Sequence, residues 1–378
     1  DYPQPHIDAL IAGGFEIDFN ASYSDREKYF IARGVRIHTY NGSLLTEPAN
    51  VKNKSGHYFK VYTPYWRAVL QLMKDVKPLM APRRWSQKSK VISERIETWK
   101  LLPKKSAWGC GFEVWRVGEK AAKQLLIRFA KNGLKNYSKN RDRPDLLGTS
   151  RLSPYLHFGE ISIWQVWEAT KRNQAFSKQL VWREFCHYLL FHFPELYKKN
   201  FKPQYNTFKW KKNQKNLCAW QKCLTGYPIV DAGMRELWLT GYMHNRVRMI
   251  VASFLTKDLF ISWRDGEKWF WDTLLDADLA NNAFGWQWVA GTGADAAPYF
   301  RVFNPTLQGK KFDPNGNYVR RWVPELAKLP QKYLHEPSLA PQQILMAAGI
   351  QLGKNYPLPI VNHKVARDEA LKSYKRLK

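Results

Sequence analysis

Apolar side chains recur every three to four positions from Gly118 onward, which is the spacing of one face of an amphipathic helix. Strand-like alternation of apolar and polar residues is rare after this point. The pattern therefore predicts a large all-α domain over residues 118–378, with long loops near 138–153 and 276–308. The first of the predicted helix faces comprises Ala121, Ala122, Leu125, Leu126 and Phe129.

The first eighty residues have a different pattern, in which helix and strand signals alternate. Residues 35–40 alternate like a half-buried strand and end at an Asn-Gly turn at 41–42. Thr63 followed by Pro64 predicts the cap and the first position of a helix. We interpret residues 1–80 as the C-terminal part of an α/β domain.

That α/β domain is expected to be truncated, because eighty residues are too few for a complete doubly wound sheet and the chain begins at Asp1 rather than Met. The opening residues are polar and Pro-rich, so no signal peptide is expected. Residues 81–117 are rich in Pro, Lys, Ser and Gly, which indicates a linker between the domains.

The composition of the chain restricts the kinds of partner and site that we expect. Its 378 residues carry a formal net charge of +28, which indicates a polyanion, either nucleic acid or an anionic membrane surface. No apolar run reaches about 18 residues, so no membrane span is predicted. The four cysteines form no Cys-x-x-Cys pair, so no metal site is predicted, and their scatter fits a reducing compartment.

The segment from Asp276 to Trp288 is the richest in chemistry. It combines two carboxylates, two neighbouring asparagines and two indoles. A solvated charge run contains no Trp, and a plain core segment does not carry so many polar groups. The mixture suits a buried polar cofactor, which needs hydrogen-bond partners on its edge and aromatic walls.

The loop over residues 141–154 is a second candidate site. Gly148, two hydroxyl groups, Arg151 and free backbone N–H groups are able to cradle a pyrophosphate. Ser153 and Pro154 then open a helix, whose dipole favours an anion. Taken alone, the loop is equally compatible with a simple N-capped turn.

Two predicted helices carry the remaining candidates. Residues 179–185 form an amphipathic helix whose Trp182 is most simply a core residue. In the helix after His244, the side chains of Asn245 and Met249 are four positions apart and share one face. That face offers an amide and a soft sulfur to a base, although a core Met and a structural His are the plainer interpretation.

Together these segments resemble the DNA photolyase/cryptochrome family. The resemblance runs from about Phe15 to Lys378 and is strongest over 137–325. Its most specific motifs are Thr-Gly-Tyr-Pro-Ile-Val-Asp-Ala-Gly-Met-Arg at 225–235 and Met-His-Asn-Arg-Val-Arg-Met at 243–249. Within the family the chain looks like a bacterial class I cyclobutane pyrimidine dimer photolyase, since six-four photolyases typically show a His-bearing pattern in place of the Asn and Met.

The resemblance implies that FAD binds inside the helical domain. Arg248 is expected to pair with Asp276, since burying a lone carboxylate is costly. Asn282 is expected beside flavin N5. An antenna chromophore is also compatible with the family, and a folate, a deazaflavin or none stay open. The positions that match cofactor-binding residues are Tyr137, Thr149, Ser150, Arg151, Leu152, Ser153, Phe176, Arg248, Asp276, Asp278 and Asn282.

The implied activity is light-driven repair of pyrimidine dimers in DNA, by electron transfer from reduced FAD to a dimer flipped out of the duplex. The matching catalytic positions are the electron-relay tryptophans Trp286, Trp263 and Trp210 and the pocket residues Gln179, Asn245 and Met249. The matching DNA-binding positions are Arg141, Trp182, Arg246, Trp288, Arg301 and Gln308.

One position departs from the family pattern. Dimer photolyases usually carry Glu three residues before the pocket Trp, where this chain has Gln179. A carboxyl group is able to share a proton with the thymine radical anion, whereas an amide donates a hydrogen bond without transferring a proton. We therefore expect Gln179 to give a lower repair yield than a glutamate at this position.

Three other functions remain open: a photolyase-like blue-light photoreceptor without repair, a six-four photolyase, and a non-enzymatic nucleic-acid-binding module. Gln179 favours the first, Met249 opposes the second, and the third leaves the segment 276–288 without a purpose. The resemblance further implies a monomer that acts in the bacterial cytoplasm on DNA and not at a membrane.

Overall fold

In a computed structural model of the chain, the described residues are 32, 41–73, 94–99, 109–296, 298 and 301–376. The chain divides into two compact units, Asp1–Gly42 with Leu79–Ala107 and Ser43–Pro78 with Trp108–Lys378. The strand predicted at 35–40 lies outside the described residues. The predicted domain boundaries at 80 and 117 stay predictions.

Helices are the main secondary structure in the described residues of the second unit, in agreement with the predicted fold class. No helix in the described ranges has the length and the apolar character that a membrane crossing requires. The α-helices of the second unit are α1 Tyr62–Leu72, α2 Glu119–Arg128, α3 Tyr137–Asn140, α4 Ser153–His157, α5 Ile163–Thr170, α6 Gln174–His192, α7 Gln214–Gln221, α8 Pro228–Thr240, α9 Asn245–Ser253, α10 Trp263–Thr273, α11 Leu279–Ala290, α12 Pro305–Phe312, α13 Asn317–Trp322, α14 Gln331–Leu334, α15 Gln342–Ala347 and α16 His363–Lys375.

Shorter helical turns connect these elements. Helices α2 and α9 each continue into one π-helical turn, Phe129–Gly133 and Phe254–Asp258. One isolated bridge, Leu352 with Tyr356, is the nearest approach to a sheet among the described residues. The 3-10 helices of this unit are Pro48–Asn50, Gly109–Val114, Pro194–Tyr197, Pro203–Thr207, Pro324–Leu326 and Pro337–Leu339, and one further 3-10 helix, Ile96–Trp99, belongs to the first unit.

The start of α1 differs from the prediction. The sequence placed the cap at Thr63, whereas the helix begins at Tyr62 after Val61, which makes no side-chain cap. Instead, the backbone N–H of Tyr62 donates to Asp295 Oδ2 at 3.0 Å. Pro64 is tolerated because the N–H groups of a first helical turn have no partner within the helix. A distant acceptor therefore set the boundary.

Two large apolar clusters make up the core, and α11 lies between them. One cluster is built around α8, α9 and α10, and the other around α1 and α6. The side chain of Trp288 packs against both. Helix α11 contacts α6, α9 and α10, so its polar residues are held between the two clusters.

Helices α10 and α11 come close together at a glycine. A Cβ on Gly266 would lie 2.1 Å from Cη2 of the Trp286 indole. Only a residue without a side chain permits this approach. The contact fixes the position of the Trp286 ring.

Candidate active site

A cavity of about 560 Å³ lies among α3, α4, α6, α9 and α11. It brings the loop 137–153 and the segment 276–288 together, although these lie far apart in the sequence. The predicted site residues that line it are Tyr137, Arg141, Thr149, Ser150, Arg151, Leu152, Ser153, Phe176, Gln179, Trp182, Asn245, Arg246, Arg248, Met249, Asp276, Asp278, Asn282, Trp286 and Trp288.

Four predicted residues lie outside the lining. Trp263 is buried, and its Nε1 donates to Asn200 Oδ1 at 2.8 Å. Trp210 is half-buried and packs on the same apolar cluster. Arg301 is exposed and Gln308 is half-buried on α12. Their roles in electron relay and DNA binding stay predictions.

The loop before α4 is shaped by close packing and by one unusual backbone angle. A Cβ on Gly148 would lie 2.5 Å from the carbonyl oxygen of Asn140, so only glycine fits there. Arg151 has a φ of 54°, a left-handed conformation that non-glycine residues seldom adopt. Its guanidinium is held over the rings of Trp115 at 4.6 Å and Tyr242 at 4.8 Å. Helix α4 then begins at Ser153 as predicted.

The predicted pair of Arg248 and Asp276 is present. Nη2 of Arg248 lies 3.0 and 2.9 Å from the two carboxylate oxygens of Asp276, and its Nε donates to the carbonyl oxygen of Met243 at 2.7 Å. The Asp276 side chain is only 4% exposed. A carboxylate this deeply buried requires such a partner.

Asp278 caps helix α11 and faces two histidines that the sequence reasoning missed. Its Oδ1 accepts the backbone N–H of Asn281 at 2.8 Å, and its Oδ2 lies 3.3 Å from His187 Nε2 and 4.0 Å from His157 Nδ1. Burial by itself would raise the pKa of Asp278, but the neighbouring imidazole of His187 and the hydrogen bond from Asn281 hold this pKa below its usual range. The carboxylate is therefore charged at neutral pH.

Asn282 faces the cavity with a defined polarity. Its Nδ2 donates to the backbone oxygen of Glu267 at 2.9 Å and to Glu267 Oε1 at 3.1 Å. Both amide hydrogens are thereby used, so the carbonyl oxygen is the atom that remains for a ligand. Asn282 can accept a hydrogen bond from a ligand N–H. Glu267 was also missed by the sequence reasoning.

Gln179 and Trp182 share one face of α6, as their spacing predicted. Oε1 of Gln179 accepts from Arg141 Nη2 at 3.1 Å. The Trp182 indole stacks on the Tyr62 ring with centroids 3.7 Å apart and planes 5° from parallel. Tyr62 lies 120 residues earlier in the chain, and its ring holds the Trp182 indole in the cavity wall.

Helix α9 contributes the remaining polar wall. His244 caps it, because its Nδ1 accepts the backbone N–H of Arg246 at 3.2 Å, and burial lowers the pKa of His244 to about 4. Arg246 pairs with Asp142 at 2.9 Å and lies over the Phe312 ring at 4.4 Å. The neutral His244 thus has a structural role through its Nδ1, whereas its Nε2 has no hydrogen-bond partner among the described residues.

Trp286 contacts an indole that the sequence did not single out. Its ring lies 6.1 Å from Trp220 and 5.0 Å from Phe270, both edge-on. Trp220 is fully buried. In a chain with 17 Trp residues, nothing in the sequence distinguished it from core tryptophans.

Two buried donors at the cavity are left for a ligand. Nε1 of Trp286 and Nε of Arg151 have no hydrogen-bond partner among the described residues. Orphaned donors are costly in a folded protein and call for an acceptor. The phosphate and carbonyl oxygens of FAD are acceptors of this kind, so the residues present fit the cofactor that the resemblance implies.

Comparison with known proteins agrees with this assignment. Residues 176–376 match the family described as the FAD binding domain of DNA photolyase, and residues 15–83 match the family described as DNA photolyase. A deoxyribodipyrimidine photo-lyase of Agrobacterium fabrum is 52% identical over 361 residues, which cover 91% of this chain and 74% of that protein. Cryptochrome-1 of Arabidopsis thaliana is 41% identical over 355 residues, which cover 87% of this chain and 51% of that protein.

Among solved structures, a bacterial class III photolyase from Agrobacterium tumefaciens superposes with a TM-score of 0.87 at 46% identity, covering 100% of this chain and 82% of that one. That relative is described as class III, so the predicted class I subgroup stays a prediction. The family itself is established by the matched domains and by the extent of these identities. This chain belongs to the DNA photolyase family.

Proposed function

We propose that this protein repairs cyclobutane pyrimidine dimers in DNA under blue light, with FAD held in the cavity of about 560 Å³. The observation that carries the proposal is the shared cavity: the residues predicted to bind the cofactor and those predicted to receive the lesion line the same space. The relative from Agrobacterium fabrum, at 52% identity, is a deoxyribodipyrimidine photo-lyase.

The loop at one side of the cavity would hold the cofactor's phosphates. When bound, FAD supplies the absorption of light and the electron that opens the cyclobutane ring. The carboxylates of Asp276 and Asp278 are held in place by Arg248 and by Asn281, so both would face the cofactor in fixed positions. The carbonyl oxygen of Asn282 would accept from a ring N–H. The residues proposed for the phosphates are Tyr137, Thr149, Ser150, Leu152 and Ser153.

The lesion would enter between two indoles. Trp182 is held rigid by Tyr62, and Trp288 is held between the two core clusters. Rigid aromatic walls suit a flipped base, whose extraction from the duplex costs a few kcal/mol and less when the site is already poorly stacked. Asn245 and Met249, one turn apart on α9, would contact the edge of the base.

Repair of defined oligonucleotides tests the proposal directly. Under blue light, the reduced protein should restore a duplex with one cyclobutane thymine dimer and leave a duplex with one six-four product unrepaired. A parallel reaction kept in the dark is the control. Repair of the six-four duplex alone would replace the proposed substrate, and no repair of either duplex would remove the proposed activity.

DNA binding should depend steeply on salt, given the net charge of +28. Each phosphate neutralised contributes a slope of about −0.9 to the plot of log affinity against log salt concentration. Arg246→Ala and Arg301→Ala should each make that slope shallower by about 0.9. Arg128→Ala removes the same charge from an exposed position outside the cavity and should leave the slope unchanged. Equal slopes in all four proteins would show that neither arginine contacts phosphate.

A blue-light photoreceptor without repair is the second candidate. Two observations favour it: the amide at Gln179 and the 41% identity to cryptochrome-1 of Arabidopsis thaliana. The repair assay separates the two functions, because a photoreceptor would bind FAD and leave the dimer intact. An antenna chromophore, a monomeric state and a cytoplasmic location belong to the same proposal as expectations from the family resemblance.

A further inference from the structure

Arg141 holds the side-chain amide of Gln179 in one orientation. Nη2 of Arg141 lies 3.1 Å from Oε1 of Gln179. A guanidinium only donates hydrogen bonds and has no acceptor, so the atom it contacts must be the amide oxygen. The amide NH2 group therefore points away from Arg141, and Gln179 lines the cavity.

The guanidinium that sets this orientation is itself held in place. It lies over the Tyr137 ring at 5.5 Å, and its Nε is 3.9 Å from Asp142 Oδ1. The backbone N–H of Arg141 closes helix α3 by donating to Tyr137 at 2.8 Å. Its side chain is only 26% exposed. Arg141 is thus anchored at the cavity, which it lines together with Gln179.

The cavity consequently carries two amides of opposite polarity. Asn282 has both hydrogens engaged by Glu267 and presents its oxygen. Gln179 has its oxygen engaged by Arg141 and presents its NH2 group. A ligand with a carbonyl acceptor edge matches Gln179, and a ligand with an N–H donor matches Asn282.

We infer that Arg141 is a positioning residue that turns Gln179 into a fixed hydrogen-bond donor for a carbonyl oxygen of the substrate. This inference rests on the proposed repair of pyrimidine dimers, whose bases carry carbonyl groups. It assigns Arg141 a role in the chemical step, beyond the DNA contact that the family resemblance implied. A fixed donor stabilises negative charge that develops on the carbonyl oxygen, because it needs no reorganisation during the reaction.

The test separates binding from chemistry. Affinity for a duplex with one cyclobutane dimer and repair per absorbed photon at saturating DNA are measured for Arg141→Ala, Gln179→Met, the double variant and Arg246→Ala. Arg141→Ala and Gln179→Met should each lower the repair yield at saturation by about two- to tenfold, the effect of one hydrogen bond. Arg246 is a predicted DNA-binding residue that pairs with Asp142 rather than with Gln179, so Arg246→Ala should lower the affinity by a larger factor than the yield.

The double variant decides whether Arg141 acts through Gln179. Because Met has no amide to orient, Arg141→Ala should lower the yield no further in the Gln179→Met background. An equal loss in both backgrounds would overturn the inference, as would an Arg141→Ala variant that changes only the affinity. Bound flavin is measured in each variant, so that a disturbed cofactor site is recognised by its lost absorbance.

Two controls complete the design. Arg128→Ala removes one exposed arginine outside the cavity and should match the wild type in affinity and yield. The wild-type protein itself reports on the underlying function: absence of any dimer repair would refute the proposed activity. Repair by the wild type with additive losses in the double variant would instead refute only the role of Arg141.

Discussion

Asp278→Ala is expected to yield protein without bound flavin. The carboxylate caps α11 through Asn281 and lies beside His187 and His157 at the cavity, so its removal both loosens the helix and takes a fixed charge from the site. Loss of the cap alone costs about 1 kcal/mol. The purified variant should be colourless, whereas the wild type should show the absorbance of one flavin per chain.

Asp272→Ala is the matched control, since Asp272 is an exposed carboxylate on α10 outside the cavity. It should keep the full flavin content. A yellow Asp278→Ala protein with full occupancy would refute the assignment of the cofactor site. The pKa of Asp278 is lowered in the folded chain, so its stabilising effect is present above its unfolded pKa of about 3.9 and is lost as the pH falls through its folded pKa.

Arg248→Ala should lower the free energy of unfolding by about 3 kcal/mol, the effect of leaving a buried charge without its partner. Asp276 is 4% exposed, and its two oxygens are both engaged by Arg248. Chemical denaturation of the wild type and the variant measures the difference. Adding Asp276→Asn to Arg248→Ala should recover part of the loss, because the unpaired charge is then gone.

An exposed pair on α16 provides the comparison. Arg367 and Asp368 form a pair whose side chains are 50% and 52% exposed. Arg367→Ala should change the free energy of unfolding by less than about 1 kcal/mol, since solvent screens exposed ion pairs. If Arg248→Ala costs no more than Arg367→Ala, burial adds nothing to the strength of the Arg248–Asp276 pair, and the Asp276 carboxylate does not depend on its arginine.

Local sequence was sufficient for most of the helices and for some of their ends. The long loop predicted near 276–308 was wrong in part, because it contains α11 and the start of α12. The apolar period after Gly118 predicted the helical unit, and Ser153 with Pro154 predicted the start of α4. Spacing also placed Gln179 with Trp182, and Asn245 with Met249, on shared faces. The start of α1 was misplaced because its first N–H is satisfied by Asp295, more than two hundred residues away.

The residue types of the site were readable in the sequence, and the resemblance to photolyases supplied their roles. The histidines around Asp278 carried no motif of their own: His187 is 91 residues before the carboxylate it faces. Trp220 was one of 17 Trp residues without a distinguishing neighbour. A sequence pattern identifies neighbours within a few turns of a helix, whereas these contacts are made between helices.

The sequence by itself determined which chemistry the site contains: carboxylates, amides, indoles and arginines in segments that suit a buried polar cofactor. Only the tertiary structure decided how each group is presented. Arg141, which lies 38 residues before Gln179, donates to the amide oxygen of Gln179. Glu267, which lies 15 residues before Asn282, accepts from the amide NH2 group of Asn282. A side-chain amide has both an acceptor oxygen and a donor NH2 group. Which of the two faces a ligand is decided by the partner that packing brings to the other.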